Sequence, residues 1–125
     1  MRSISNWKQY KALEDTLKLY DEETVTKAAE LIMNARKILI FGKGSSFLVC
    51  KDLEMKLRRI NKFCIAQGES HDQLVDATFI NQKDVIIFVS NSGKTKEIIS
   101  AALLARENKA KIISITKIGS SMLAD

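Results

Sequence analysis

Proline is absent from this chain, histidine occurs once and cysteine twice. Without proline, no Pro-rich spacer divides the sequence, and no repeat or low-complexity segment is present. Cys50 and Cys64 sit in neither CxxC nor any other metal-ligand spacing, so no metal centre is expected. They read as two buried, reduced thiols of a cytosolic protein. No run of 18 apolar residues occurs, so no membrane span is expected. The N-terminal stretch MRSISNWKQYK has no apolar signal core, so nothing argues for export, and a cytoplasmic location is expected.

What remains is an ordinary globular composition. The 125 residues are 46% hydrophobic and 28% charged, one domain's worth and enough for a core without staples. The net charge of +5 is unevenly spread. Residues 34–63 carry eight bases against two acids, residues 1–33 five against six, and residues 64–125 seven against seven. The local basic excess could bias the field toward an anionic ligand, although a solvated helix face explains most of it.

Hydrophobic spacing gives the elements. Trp7, Tyr10, Leu13 and Leu17 form one stripe of a helix over 5–20. Asp21 is an N-cap for a second helix ending near Asn34, with Glu22 and Glu23 in its first turn and Val25, Ala28, Ala29, Ile32 and Met33 inward. KILIF, 37–41, is short, apolar and β-rich, as a strand buried on both faces should be. A helical period resumes over 46–60 through Leu48, Val49, Leu53, Met55, Leu57 and Ile60. FCIA, 63–66, is a second strand, and 70–79 a short helix with Leu74, Val75 and Ala77 apolar. DVIIFVS, 84–90, is the clearest buried strand. A strong helix over 95–108 and the strand KIISIT, 111–116, follow.

Strands and helices therefore alternate from residue 22 onward. That pattern predicts an α/β fold, a three-layer αβα sandwich around a parallel sheet of at least four strands. A doubly wound sheet usually has more strands, so the domain is expected to be incomplete at its C-terminal end. Residues 1–20 are expected to form a separate N-terminal helix and 21–125 the domain.

Two turns follow strands directly and open helices: FGKGSS at 41–46 and SNSGKT at 90–95. In an open α/β sheet, ligands bind at that edge, where the strand order reverses. In a flavodoxin-like order the first and third strands flank the crevice, and the two turns would face one another. A P-loop is excluded, because the position five before Gly93 is Phe88 rather than glycine. A dinucleotide fingerprint fails at its third glycine, which is Phe47, and no acid ends the second strand to take a ribose hydroxyl.

What is left is a hydroxyl-rich turn. Ser90, Ser92 and Thr95 surround Gly93, which lets the backbone approach closely. The amides of 92–95 would open a helix, where a phosphate gains from free N–H groups and the dipole. Ser46 adds a hydroxyl from the other turn. Three hydroxyls exceed what helix capping needs. With no nucleobase slot and no magnesium carboxylate, a phosphate monoester on a small polar body such as a sugar fits best, and no cofactor is expected.

FGKGSS, then SNSGKTKEII about forty-five residues later, then KIISIT, resembles the SIS (sugar isomerase) phosphosugar-binding domain. Within it, residues 21–125 look most similar to the ligand-binding domain of RpiR-type transcriptional regulators. The resemblance implies phosphate contacts from the hydroxyls of Ser90, Ser92 and Thr95, help from the backbone of Asn91 and Gly93, and a contact from Ser46. Gly44, Ser45 and His71 are further candidate contacts. It also implies a homodimer or higher homo-oligomer. DNA would be bound through a helix-turn-helix domain for which this chain has no room.

The alternative is a stand-alone aldose–ketose isomerase of the same family. That chemistry moves a proton between adjacent carbons and needs a placed acid/base. Glu69 and His71, in QGESHDQ, are the candidates, spaced Glu-x-His where some such isomerases have Glu-x-x-His. Lys43 and Lys94 flank the turns and read as solvated.

Overall fold

The computed structural model describes residues 22–90, 96–116 and 121–124. Its elements run α1 (Glu22–Met33), β1 (Ile38–Phe41), α2 (Ser45–Arg59), β2 (Cys64–Gln67), α3 (Ser70–Ala77), β3 (Val85–Ser90), α4 (Lys96–Glu107), β4 (Lys111–Thr116) and β5 (Ser121–Ala124). The sheet order is β2-β1-β3-β4-β5. β1 to β4 are parallel, and β5 returns antiparallel along β4. The expected helix over 5–20 lies outside the described residues.

β1 is apolar throughout, and β3 up to Ser90, because each of their faces meets helices. Ile38 and Ile40 of β1 join Val85, Ile87 and Val89 of β3 in one cluster with Ala28, Ala29 and Ile32 of α1 and Cys50, Leu53 and Leu57 of α2. Leu39, Phe41, Ile86 and Phe88, the alternate residues, form the second cluster with Ala77 of α3 and Ala101 and Ala105 of α4. These are the two cores of a three-layer sandwich, and the expected architecture holds. Each buried Ile, Leu or Phe contributes roughly 1.5–3 kcal/mol. Across β1 and β3, the registered pair Phe41 and Phe88 pack edge to face, with centroids 5.7 Å apart.

The fifth strand was not expected from the sequence. SMLA is short, and only its pairing with Ile113–Thr116 gives it strand character. Two residues of the expected helical period over 46–60 also turn outward. Leu48 is 72% exposed and Met55 47%, while Ser46, Cys50, Leu53 and Leu57 make the buried stripe of α2.

The basic stretch is largely absorbed by local pairing. Arg36 donates from Nε and Nη2 to Asp84 at 3.0 and 2.9 Å, tying the start of β1 to that of β3. Lys62 donates to the carbonyls of Met33 and Ala35, closing the C-terminal end of α1. Burial lowers the Lys62 pKa from its ordinary value. Lys51 and Arg58 flank the buried Glu54. Glu54 in turn accepts the Ala66 amide at 2.6 Å, and Arg58 donates to the Cys64 carbonyl. Those are the outward-facing backbone groups of β2, because residues 63 and 67 bond inward to Ile38 and Gly42. The i,i+4 pair on α2 thus occupies the edge of β2 where another strand would otherwise add.

Candidate functional site

The reversal of strand order falls between β1 and β3, the neighbours that start the two glycine-bearing turns. Phe41 pairs with Phe88, so Gly42 leaves the sheet beside the end of β3, which Ser90 closes. The sheet order expected for facing turns is therefore the one present. Ser46 is 3% exposed and Ser90 7%, polar residues held at the C-terminal edge among apolar neighbours.

The first turn is shaped by two glycines. Gly44 has φ of +58°, a conformation that costs a side-chain-bearing residue free energy. Its neighbour Gly42 sits against α2, where a Cβ would fall 2.5 Å from the Cys50 Sγ and 3.1 Å from the Ser46 carbonyl oxygen. The turn then tightens into α2, with the Ser46 amide donating to Lys43 O and the Phe47 amide to Gly44 O. No side chain caps this helix and no acid lies in its first turn. Its positive end is thus left without a carboxylate of its own, which favours an external anion. Gly44 and Ser45 are exposed on the outer side of the turn. Burial pushes the Cys50 thiol up to about 12, so it is a packing group beneath the turn and no nucleophile at neutral pH.

A third turn, between β2 and α3, closes against the first. Gly68 packs on the ring of Phe47, and Lys43 Nζ donates to the Ser70 hydroxyl. Lys43 therefore links the two turns. Glu69 is the N-cap of α3 and its carboxylate accepts the His71 amide at 3.1 Å. His71 is exposed on the first turn of α3, at the same sheet edge. Asn91, Ser92, Gly93, Lys94 and Thr95 lie outside the described residues. Among the described residues, no three His, Cys, Asp or Glu side chains converge as a metal site would require.

One polar residue of this edge was not singled out from the sequence. Gln73 is 1% exposed on α3, and its Nε2 donates to Gln67 O at 2.8 Å and to Gly42 O at 3.4 Å. The available signal was its helical phase. Gln73 and Ala77 share the inward face, whereas Leu74 is 37% exposed and Val75 43%.

A family model for the SIS domain matches residues 31–125. The chain belongs to the SIS-domain family. An HTH-type transcriptional regulator of Caldanaerobacter subterraneus is 40% identical over 124 residues, covering 99% of this chain and 44% of the regulator. The HTH-type transcriptional regulator RpiR of Escherichia coli is 34% identical over 94 residues, 75% of this chain and 32% of RpiR. Among solved structures, the Vibrio vulnificus NanR protein complexed with ManNAc-6P is 34% identical, with a TM-score of 0.76 over 94% of this chain and 45% of NanR. This SIS chain spans less than half the length of each of these relatives.

Proposed function

We propose that this chain is the effector-binding part of a bacterial RpiR-type transcriptional regulator and that it senses a phosphorylated sugar. The observation that carries this reading is that Ser46 and Ser90, two nearly buried hydroxyl residues, follow β1 and end β3, the adjacent strands at the strand-order reversal. The uncapped start of α2 adds a positive helix end beside them. The likeness to regulators, and to NanR solved with a sugar phosphate, supports the same reading.

In this proposal the phosphate lies between Ser46 and the 90–95 loop, where Ser90, Ser92 and Thr95 supply hydroxyls and Asn91 and Gly93 backbone amides. Gly44, Ser45 and His71 border the sugar. No proton is moved. Glu69 is already committed to the Ser70–Ala77 helix as its cap, which argues against its use as the base of an isomerase. Ligand binding favours one arrangement of a homodimer by differential affinity, and the DNA contact is made by a helix-turn-helix domain elsewhere in the parent protein.

Calorimetric titration with a panel of sugar phosphates tests this reading, with Ser90→Ala and Thr95→Ala alongside. The expected result is binding by the wild type and weaker binding by both variants. Unchanged binding by the variants would move the site elsewhere. Turnover of an aldose or ketose phosphate by the full-length protein, lost in His71→Ala, would replace the sensor with an isomerase.

A further inference from the structure

Gln73 is the one described residue with a buried side-chain polar atom that lacks any partner: its Oε1. Unsatisfied buried acceptors cost free energy, and an apolar side chain of similar volume would avoid that cost. What the amide contributes therefore lies at its donor end. That end is fixed by two carbonyls, Gln67 O at 2.8 Å and Gly42 O at 3.4 Å. Swapping the amide oxygen and nitrogen would set an oxygen against both, so the orientation is dictated by the partners.

The position of those carbonyls gives the amide its consequence. The β1–β2 ladder ends where the Gly42 amide donates to Gln67 O at 3.3 Å. Past that bond, β1 departs into the Gly42–Ser46 turn. Gln73 grips the last ladder carbonyl and the first turn carbonyl together. Gly42 O is the nearer end of the chain segment that presents Ser46. The rest of the seam is closed by the Gly68–Phe47 contact and the Lys43–Ser70 hydrogen bond, so α3 and the loop before it hold the turn.

The geometry points to Gln73 as the positioning residue of the anion site: its amide fixes the Gly42 carbonyl and thereby sets Ser46 opposite Ser90. Gln73 does not touch the ligand. This inference rests on the phosphosugar reading for its effect on affinity, but its effect on the turn is independent of any ligand.

The test uses Gln73→Met in the full-length protein, with Leu74→Ala as a control on the exposed side of the same helix. Amide hydrogen exchange at residues 43–47 and binding of inorganic phosphate and of N-acetylmannosamine 6-phosphate are measured for each. In Gln73→Met, exchange in the turn should speed up, and both probes should bind about tenfold more weakly, the equivalent of one lost hydrogen bond. Leu74→Ala should change neither. Turn exchange and affinities equal to wild type in a folded Gln73→Met overturn the inference. So does loss of the sugar phosphate with inorganic phosphate unaffected, which would place the amide on the sugar. If the wild type binds neither probe nor any other sugar phosphate of the panel, the phosphosugar reading falls, and the exchange data alone decide the role of Gln73. A Gln73→Met chain that fails to fold is replaced by Gln73→Leu under the same readings.

Discussion

Gly42 lies directly over Cys50, so close that a Cβ at 42 would meet the Cys50 Sγ at 2.5 Å. The thiol fills the space that a side chain on the turn would take. Gly42→Ala should therefore destabilise the fold by about 1–3 kcal/mol through overpacking. It should also displace the Ser46 carbonyl, 3.1 Å from the same point, and weaken anion binding. Gly42→Ala with Cys50→Ala should recover part of both losses. Urea unfolding of the single and double variants measures the coupling, and strictly additive losses would contradict the contact.

The Cys50 thiol should be inert in the native state. With its pKa pushed up to about 12 by burial, little thiolate forms at neutral pH. An alkylating reagent at neutral pH should label Cys50 in denaturant and leave it unlabelled without it. Rapid native labelling would show that the turn opens freely.

Glu54 guards the edge of the sheet. Burial acts to raise its carboxyl pKa, but the Lys51 and Ala66 hydrogen bonds and the charges of Lys51 and Arg58 outweigh this and hold it below the ordinary value. Glu54→Ala frees the outward Ala66 amide of β2 and leaves Phe63, 62% exposed, beside an open strand edge. The expected result is a loss of about 1–3 kcal/mol and concentration-dependent light scattering on warming. A variant that stays monodisperse and as stable as wild type would remove Glu54 from this role.

Asp84 should contribute to acid sensitivity. Its burial opposes ionisation, but hydrogen bonds from Arg36 and the Asn81 amide and the charges of Arg36 and Lys37 prevail, so its folded pKa is lowered. A lowered folded pKa gives stability that is present above the unfolded value, about 3.9, and is lost as pH falls through the folded one. Wild-type stability in urea should fall as pH drops below about 4. Asp84→Asn should be less stable at pH 7 and show a shallower fall in that window. An identical slope would mean that the Arg36–Asp84 pair carries no pH dependence.

Lys109, just past the end of α4, has φ of +65°, in the region where side chains are strained. Lys109→Gly should raise stability by roughly 0.5–1 kcal/mol, read as an increase in melting temperature. No increase would mean that the lysine side chain compensates for the strain.

The strands that the sequence revealed most clearly, 37–41 and 84–90, are those buried on both faces, where residue type alone settles the environment. SMLA was not legible as a strand because an edge strand needs only a partner, and Ser, Met and Ala carry no strong β preference. The first turn was legible because its glycines and serine follow a strand directly. That the two turns share one edge depended on the strand order, which no local pattern encodes. Glu54 and Gln73 were illegible for a related reason. Each reads as a polar helix residue until Ala66, Gln67 and Gly42 are brought against it by the fold. Leu48 and Met55 show the converse, apolar residues at plausible helical spacing that face outward.

The central claim is that one anion is held between the turn after β1 and the end of β3. The most direct measurement is calorimetric titration of the full-length protein with a panel of sugar phosphates, comparing wild type with Ser46→Ala and Ser90→Ala. Both variants should bind the wild-type ligand about tenfold or more weakly, each having lost a hydrogen bond to a charged group. Wild-type affinity in either variant would show that its turn does not hold the anion and would contradict the account.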